Sequence, residues 1–306
     1  MAAKILTRRK TLAAAAGGVA LLVATPLVAT AVASPEPPTV AAKGAALLDG
    51  GDTKFAKAAD TPRPLASTAK IMVADVVLDS PGVDLERKVE VKQEYRDYVQ
   101  EHGTSQADLQ TGDKLTVNQL LYAALLPSGA DAAFALADTF GDGDTTAART
   151  KSFVSKMNAK ADELGLDKTQ FNSFDGSASD KSTPVDLAKL AEDAMQHDAF
   201  RTVVKSKTYK GDAPAANGRT RTYSWDNTNQ LLGSYNGVVG IKTGTTTAAG
   251  SCLVFAATRD GKTLTGAILN SKDRYKDAAK MLDFGFDAST ADDMKLRRLP
   301  ADAERD

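Results

Sequence analysis

The sequence has a single cysteine, Cys252, and only two histidines, His102 and His197. One cysteine excludes an intramolecular disulfide framework and any zinc site built on several thiolates. Two histidines argue against a multi-histidine metal centre and leave little for a Ser-His-Asp triad, so catalysis would fall to Ser, Lys, Asp or Glu. Neither a metal nor a cofactor is expected. An excess of either charge is also lacking: 38 basic residues against 39 acidic ones give a formal charge of −1. That balance carries no electrostatic footprint for nucleic acid. No internal repeat of about 20–50 residues is evident, which excludes a solenoid or propeller. What remains is a chain of 306 residues, 42% hydrophobic and 25% charged, with enough apolar side chains for one or two cores.

The N-terminus is organised as an address. Lys4, Arg8, Arg9 and Lys10 precede an uncharged run from Thr11 to Ala33, which ends in Ala31-Val32-Ala33. A basic start, an apolar stretch and a small-residue triplet read as an export signal over residues 1–33, cleaved after Ala33. Thr7-Arg8-Arg9 also resembles a twin-arginine signal, and an uncleaved N-terminal anchor is the other reading, since the run is long enough to span a bilayer. Removing residues 1–33 takes away four positive charges and no negative ones, so the mature chain is acidic and works outside the cytoplasm, in the cell wall or at the membrane surface. Residues 34–41, with Pro35, Pro37 and Pro38, read as a short stiff linker.

Beyond the linker the periodicity changes twice. Residues 41–48 form a short apolar strand, and Asp49-Gly50-Gly51-Asp52 signals a hairpin turn. From Ser67 the pattern is helical, with Ile71, Met72, Ala74, Val76, Val77 and Leu78 apolar and an end near Pro81. Helices follow at 117–126, 130–139, 147–164 and 184–196, the last punctuated by Thr183 as cap and Pro184 at its first position. After residue 207 strands return, at 238–242, 251–258 and 263–269, and a helix over 272–284 closes the domain. Strands, helices, strands and a helix predict an α+β domain interrupted by a helical one over about 86–205, not a doubly wound fold. The polar tail over 288–306 reads as a solvated, frayed terminus.

Three short segments can carry chemistry. Ser67-Thr68-Ala69-Lys70 places a serine at a helix start with a lysine one turn on. Residues at i and i+3 share a helix face, with Cβ atoms about 5–6 Å apart, so the lysine can reach the hydroxyl. A serine needs such a base to become nucleophilic, and the helix N-terminus favours developing negative charge. Alone the pattern is weak, since about one match arises by chance in a chain of this composition. Lys242-Thr243-Gly244, followed by Thr245, ends an apolar stretch and fits a strand edge. There a cation, a hydroxyl and a residue with no side chain would let an extended peptide dock by strand addition. Ser128-Gly129 follows Leu125-Leu126-Pro127 between two helices, where by itself it is only a loop.

Together, and in this order, the three segments resemble the Ser-x-x-Lys, Ser-x-Asn and Lys-Thr-Gly set of penicillin-binding proteins and class A β-lactamases. More closely, residues 42–287 resemble the low-molecular-weight penicillin-binding proteins, the serine D-alanyl-D-alanine carboxypeptidases. The resemblance also rests on Asn227-Thr228-Asn229 and Gly285-Phe286. It implies an antiparallel sheet flanked by helices with an inserted all-helical subdomain. It implies that Ser67 is acylated by the penultimate D-alanine of a peptidoglycan stem peptide, or by β-lactam antibiotics. Lys70 would take the serine proton, Ser128 would relay a proton to the leaving amine, and Lys242 and Thr243 would hold the terminal carboxylate. The backbone N–H groups of Ser67 and Thr245 would bind the oxyanion. A monomer is expected. The acyl group can pass to water or to a crosslinking amine, since both routes share one intermediate.

Two competing functions are a β-lactamase, and a catalytically weakened protein that only binds penicillin or peptidoglycan. The first lacks a Glu-x-x-Leu-Asn segment for deacylation, Asp162-Glu163-Leu164-Gly165 being a poor substitute. The second is suggested by a departure from the family pattern: Ala130 stands where the Ser-x-Asn asparagine would be. Elsewhere, Cys252 reads as a buried small hydrophobe. Asp138, Asp142 and Asp144 lack the glycine and closing glutamate of a calcium loop and read as a solvated turn. His102 and His197 read as surface residues, and Arg219 and Arg221 as strand-edge charges rather than substrate contacts. Because a methyl group at position 130 cannot hydrogen-bond, Lys70 should depend more on Ser128 and on backbone partners. Installing the amide with Ala130→Asn is therefore expected to change the rate of penicillin acylation, followed by mass spectrometry; an unchanged rate removes that dependence.

Overall fold

The computed structural model describes residues 36–177, 179–301 and 303. The export signal and its cleavage position lie outside the described residues. In chain order the first half contains β1 (Gly44–Asp49), β2 (Asp52–Lys57), β3 (Arg63–Pro64), a 3-10 turn (Ala66–Ala69), α1 (Lys70–Leu78), β4 (Lys88–Glu90), α2 (Gln93–His102), β5 (Lys114–Thr116), α3 (Val117–Leu125), α4 (Ala130–Phe140) and α5 (Thr146–Glu163). The second half contains β6 (Lys181–Ser182), α6 (Pro184–Ala194), α7 (Asp198–Lys205), β7 (Thr208–Pro214), β8 (Thr220–Asp226), β9 (Val238–Thr246), β10 (Gly250–Arg259), β11 (Lys262–Ser271) and α8 (Arg274–Phe286).

A five-stranded antiparallel sheet of order β2-β1-β11-β10-β9 forms the centre. Its inner strands β1, β11 and β10 are apolar on both faces because both faces are covered, whereas β2 at the edge buries only Phe55. Successive side chains in a strand point to opposite sides. Leu253, Phe255 and Ala257 of β10 thus join one core with Ala278, Met281 and Leu282 of α8. Cys252, Val254 and Ala256 join the other core, with α1 and α6. Every residue of α1 is buried, since it runs among α3, α4, α5, α6 and α7, with α6 packing on both it and the sheet. Continuous burial explains why the sequence of α1 shows so little polar periodicity.

Local chemistry sets the element ends. Thr116 and Gln119 form a reciprocal capping box at α3, Thr183 caps α6 ahead of Pro184, and Asp273 caps α8. The helices expected at 117–126, 130–139, 147–164 and 184–196 lie within a residue or two of α3, α4, α5 and α6. Two expectations need correction. The segment from 287 to 297 is docked and not frayed: Asp283 accepts hydrogen bonds from Thr290 N, Thr290 Oγ1 and Ala291 N, Ala291 is buried, and Arg297 donates to the carbonyls of Leu232 and Asn229. Asp138 is not in a solvated turn; it is a buried residue of α4 held by Lys92, Tyr95 and Arg149. Arg221 is exposed on β8, and it pairs with the buried Asp113.

That pair anchors the β7–β8 hairpin to the helical block. Asp113 accepts from Arg221 Nε at 2.6 Å, Tyr223 Oη at 2.8 Å and Ala216 N at 3.1 Å. Burial works to raise its pKa, but the bonds from Tyr223, Ala216 and Arg221 prevail and hold the carboxyl below its ordinary value. A depressed carboxyl contributes stability above its unfolded pKa and loses it as pH falls through the folded one. Asp113→Ala should therefore cost about 2–3 kcal/mol near neutral pH, where buried donors lose their acceptor. The deficit should shrink below about pH 3. Urea unfolding at both pH values checks this, and an equal deficit at both would contradict it.

Candidate active site

Ser67 lies on the 3-10 turn that leads into α1, and Lys70 is the first residue of that helix. Lys70 Nζ donates to Ser67 Oγ at 3.1 Å and to the Asp175 carbonyl at 3.1 Å. Ser67 is partly exposed while Lys70 is 1% exposed, so the hydroxyl can be reached from solvent and the ammonium cannot.

The Lys242-Thr243-Gly244 segment lies on β9, an edge strand of the sheet, as its composition suggested. Gly244 lies against the nucleophile turn. A Cβ there would fall 2.9 Å from Ser67 N, 3.1 Å from Thr68 N and 3.2 Å from Ala66 Cβ, so a residue without a side chain is required. Residues at i and i+2 share a strand face, which puts Lys242 on the same side as Gly244. Lys242 is 1% exposed and donates to its neighbour's carbonyl, Thr243 O, at 2.9 Å. Thr243 is buried and shares a 2.6 Å hydrogen bond with Thr228 Oγ1, whereas Thr245 is exposed at the end of the strand.

Ser128 occupies the connection between α3 and α4, with φ of 70°, a left-handed conformation rare outside glycine. Its hydroxyl is buried and has no hydrogen-bond partner among the described residues. The connection is tied to β9 through Thr228, whose backbone N–H donates to the Leu126 carbonyl and whose hydroxyl meets Thr243. Ala130 is fully buried at the start of α4, and its N–H donates to the Ser105 carbonyl. Beside it, Asp131 accepts from the backbone N–H groups of Ala107 and Leu109, pinning the 104–109 segment next to Ser128.

Sequence reasoning missed several supporting groups. The Asp175 carbonyl belongs to a loop held by Asp180, which accepts from Ser173 N and Ser173 Oγ. In that loop Gly176 has φ of 87° and packs so tightly on the nucleophile turn that a Cβ would meet Ala66 O at 1.9 Å. Arg274, 8% exposed, donates to Gly244 O and Thr245 Oγ1, which brings a second cation to the end of β9. No local motif marks either group, because a carbonyl acceptor has no signature and Arg274 is simply the first residue of α8. Cys252 is buried, as expected, and burial pushes its thiol up to about 11. Glu163, the deacylation substitute weighed above, is exposed at the end of α5 and faces Lys160.

A serine within hydrogen-bond reach of a lysine one turn away, set against the edge strand of an antiparallel sheet, fits the class of penicillin-binding serine peptidases. The match to known sequences is narrower. The chain belongs to the D-alanyl-D-alanine carboxypeptidase family, whose model covers residues 31–273. It is 49% identical over 275 residues to a D-alanyl-D-alanine carboxypeptidase of a Streptomyces species, covering 87% of this chain and 94% of that one. A Mycobacterium tuberculosis D-alanyl-D-alanine carboxypeptidase is 33% identical, over 78% of this chain and 79% of the relative. Among solved structures, the Streptomyces DD-transpeptidase superposes with a TM-score of 0.81 at 49% identity, over 83% of this chain and all of that one. A Mycobacterium tuberculosis D-alanyl-D-alanine carboxypeptidase structure gives 0.73 at 28% identity, over 88% of this chain and 98% of that one.

The contact at Gly244 yields a sharp expectation. The atoms facing it are mostly backbone, so Gly244→Ala must push the nucleophile turn from β9 by several tenths of an ångström. Misplacement of that order should slow penicillin acylation about 10- to 100-fold while the chain stays folded. Stopped-flow acylation with circular dichroism as a control tests it, and wild-type rates would show that the contact is not catalytic.

Proposed function

We propose that this serine DD-peptidase acts through an acyl-enzyme on Ser67, using the D-Ala-D-Ala end of peptidoglycan stem peptides as substrate and β-lactams as trapping analogues. The carrying observation is the 3.1 Å contact between Lys70 Nζ and Ser67 Oγ, within the reach that proton transfer needs. A neutral Lys70 takes the hydroxyl proton as Ser67 attacks the penultimate carbonyl. The oxyanion forms where the backbone N–H groups of Ser67 and Thr245 can donate to it, a device worth about 10²–10³ in rate per donor. Ser128 relays a proton to the departing D-alanine. Lys242, Thr243 and Arg274 supply positive charge and hydroxyl contacts for the terminal carboxylate, and the edge of β9 pairs with the extended peptide through Gly244 and Thr245.

The β-lactamase reading is disfavoured because Glu163 is turned to solvent and ion-paired. Export of residues 34–306 after removal of the 1–33 signal fits a substrate found outside the membrane, and the chain works as a monomer without metal or cofactor in the reaction. No helix among the described residues is long and apolar enough to cross a membrane.

Incubation with diacetyl-Lys-D-Ala-D-Ala, with and without an acceptor amine, tests the reading. Mass spectrometry should show D-alanine release, a penicillin adduct on the Ser67 peptide, and loss of both in Ser67→Ala. Penicillin labelling without peptide turnover would favour a binding protein instead; no labelling would overturn the proposal.

A further inference from the structure

We propose that Asp75, Asp79 and His197 form a binding site for one divalent ion of the zinc class, at the end of α1 opposite the Ser67–Lys70 pair. Asp75 lies in the middle of α1 with a fully buried side chain, and neither carboxylate oxygen has a hydrogen-bond partner. A buried carboxyl group in that condition is costly and calls for a cation. Asp79, one turn on, shares its helix face. His197, at the start of α7, brings Nε2 to 3.6 Å from Asp75 Oδ1 and 3.1 Å from Asp79 Oδ1.

One donor atom from each of the three residues lies within 4.8 Å of the others. Tetrahedral zinc bonds of about 2.0–2.2 Å hold donors about 3.3–3.6 Å apart, and the two distances from His197, 3.6 and 3.1 Å, already lie near that spacing. The nearest lysine does not already occupy the place. Lys160 Nζ sits 2.6 Å from Asp79 Oδ2 and 3.0 Å from Asp193 Oδ2, leaving Asp79 Oδ1 turned to the imidazole. Three carboxylates thus face one ammonium group. An ion can enter from solvent, because the His197 and Asp79 side chains are 25% and 40% exposed. Imidazole with carboxylates suits Zn²⁺ or Co²⁺ better than Mg²⁺ or Ca²⁺. The expectation that no metal binds rested on the lack of a histidine or cysteine cluster; a single histidine joined to distant aspartates leaves no spacing pattern in the sequence. The site is separate from the reaction at Ser67 and stands whether or not that reading holds.

The test is equilibrium dialysis of the chelator-treated full chain against Zn²⁺, with bound metal counted by atomic emission and melting followed in parallel. One Zn²⁺ per chain and a higher melting temperature are expected, with no shift from Mg²⁺. His197→Ala and Asp79→Asn, each checked for folding by circular dichroism, should weaken Zn²⁺ binding at least about tenfold. No saturable uptake by the wild type at about 100 µM free Zn²⁺, or undiminished uptake by either folded variant, overturns the proposal.

Discussion

The close approach of the nucleophile turn to β9 is the constraint on which the site depends. At Gly244 the strand comes so near the backbone of Ala66, Ser67 and Thr68 that only a hydrogen atom fits between them. This contact places Ser67 beside the edge where an extended peptide can pair. It is possible because α1 is buried along its whole length among the helices, while the turn at its start packs directly on β9. Moving that helix would expose apolar side chains on every face, at about 1.5–3 kcal/mol for each large one. The rigidity of the site therefore comes from core packing and not from the few polar contacts within it.

Polar groups then refine the position. Gly176 closes on the other side of the turn, and the Asp175 carbonyl meets Lys70. Thr228 links the Ser128 connection to Thr243. Two non-glycine residues at these points, Ala66 and Ser128, adopt left-handed backbone with φ of 49° and 70°. Such conformations cost about 1–3 kcal/mol each and persist only where surrounding structure over-determines them. Both border groups assigned to the chemistry, which agrees with the tendency of strain to gather at working sites. Of the two partners expected for Lys70 beside Ala130, the backbone one is present in the Asp175 carbonyl, while the Ser128 hydroxyl has no hydrogen-bond partner among the described residues.

Much of this was legible in the sequence, for identifiable reasons. Ser67 and Lys70 meet because helix geometry alone brings i and i+3 together, and Lys242-Thr243-Gly244 falls on an edge strand because apolar residues precede it and a turn follows. The caps at Thr183 and Pro184 act locally, so α6 could be delimited closely. Illegible features depend on contacts between distant segments. Asp113 with Arg221, the Asp175 loop on Lys70, Arg274 on Thr245 and the docking of Arg297 on the 227–232 carbonyls all join residues far apart in the chain. The polar tail was misread for the same reason: its composition is that of a solvated terminus, while the acceptors that hold it lie elsewhere. The hairpin of β7 and β8 shows only as a change of period, since its outer face is polar.

The most direct test of the central claim is a crystal structure of the chain after reaction with benzylpenicillin. The account predicts density continuous with Ser67 Oγ, the acyl oxygen directed between the backbone N–H groups of residues 67 and 245, and Lys70 Nζ still within hydrogen-bond distance of the ester oxygen. An adduct on any other residue, or an acyl oxygen pointing away from β9, would contradict it.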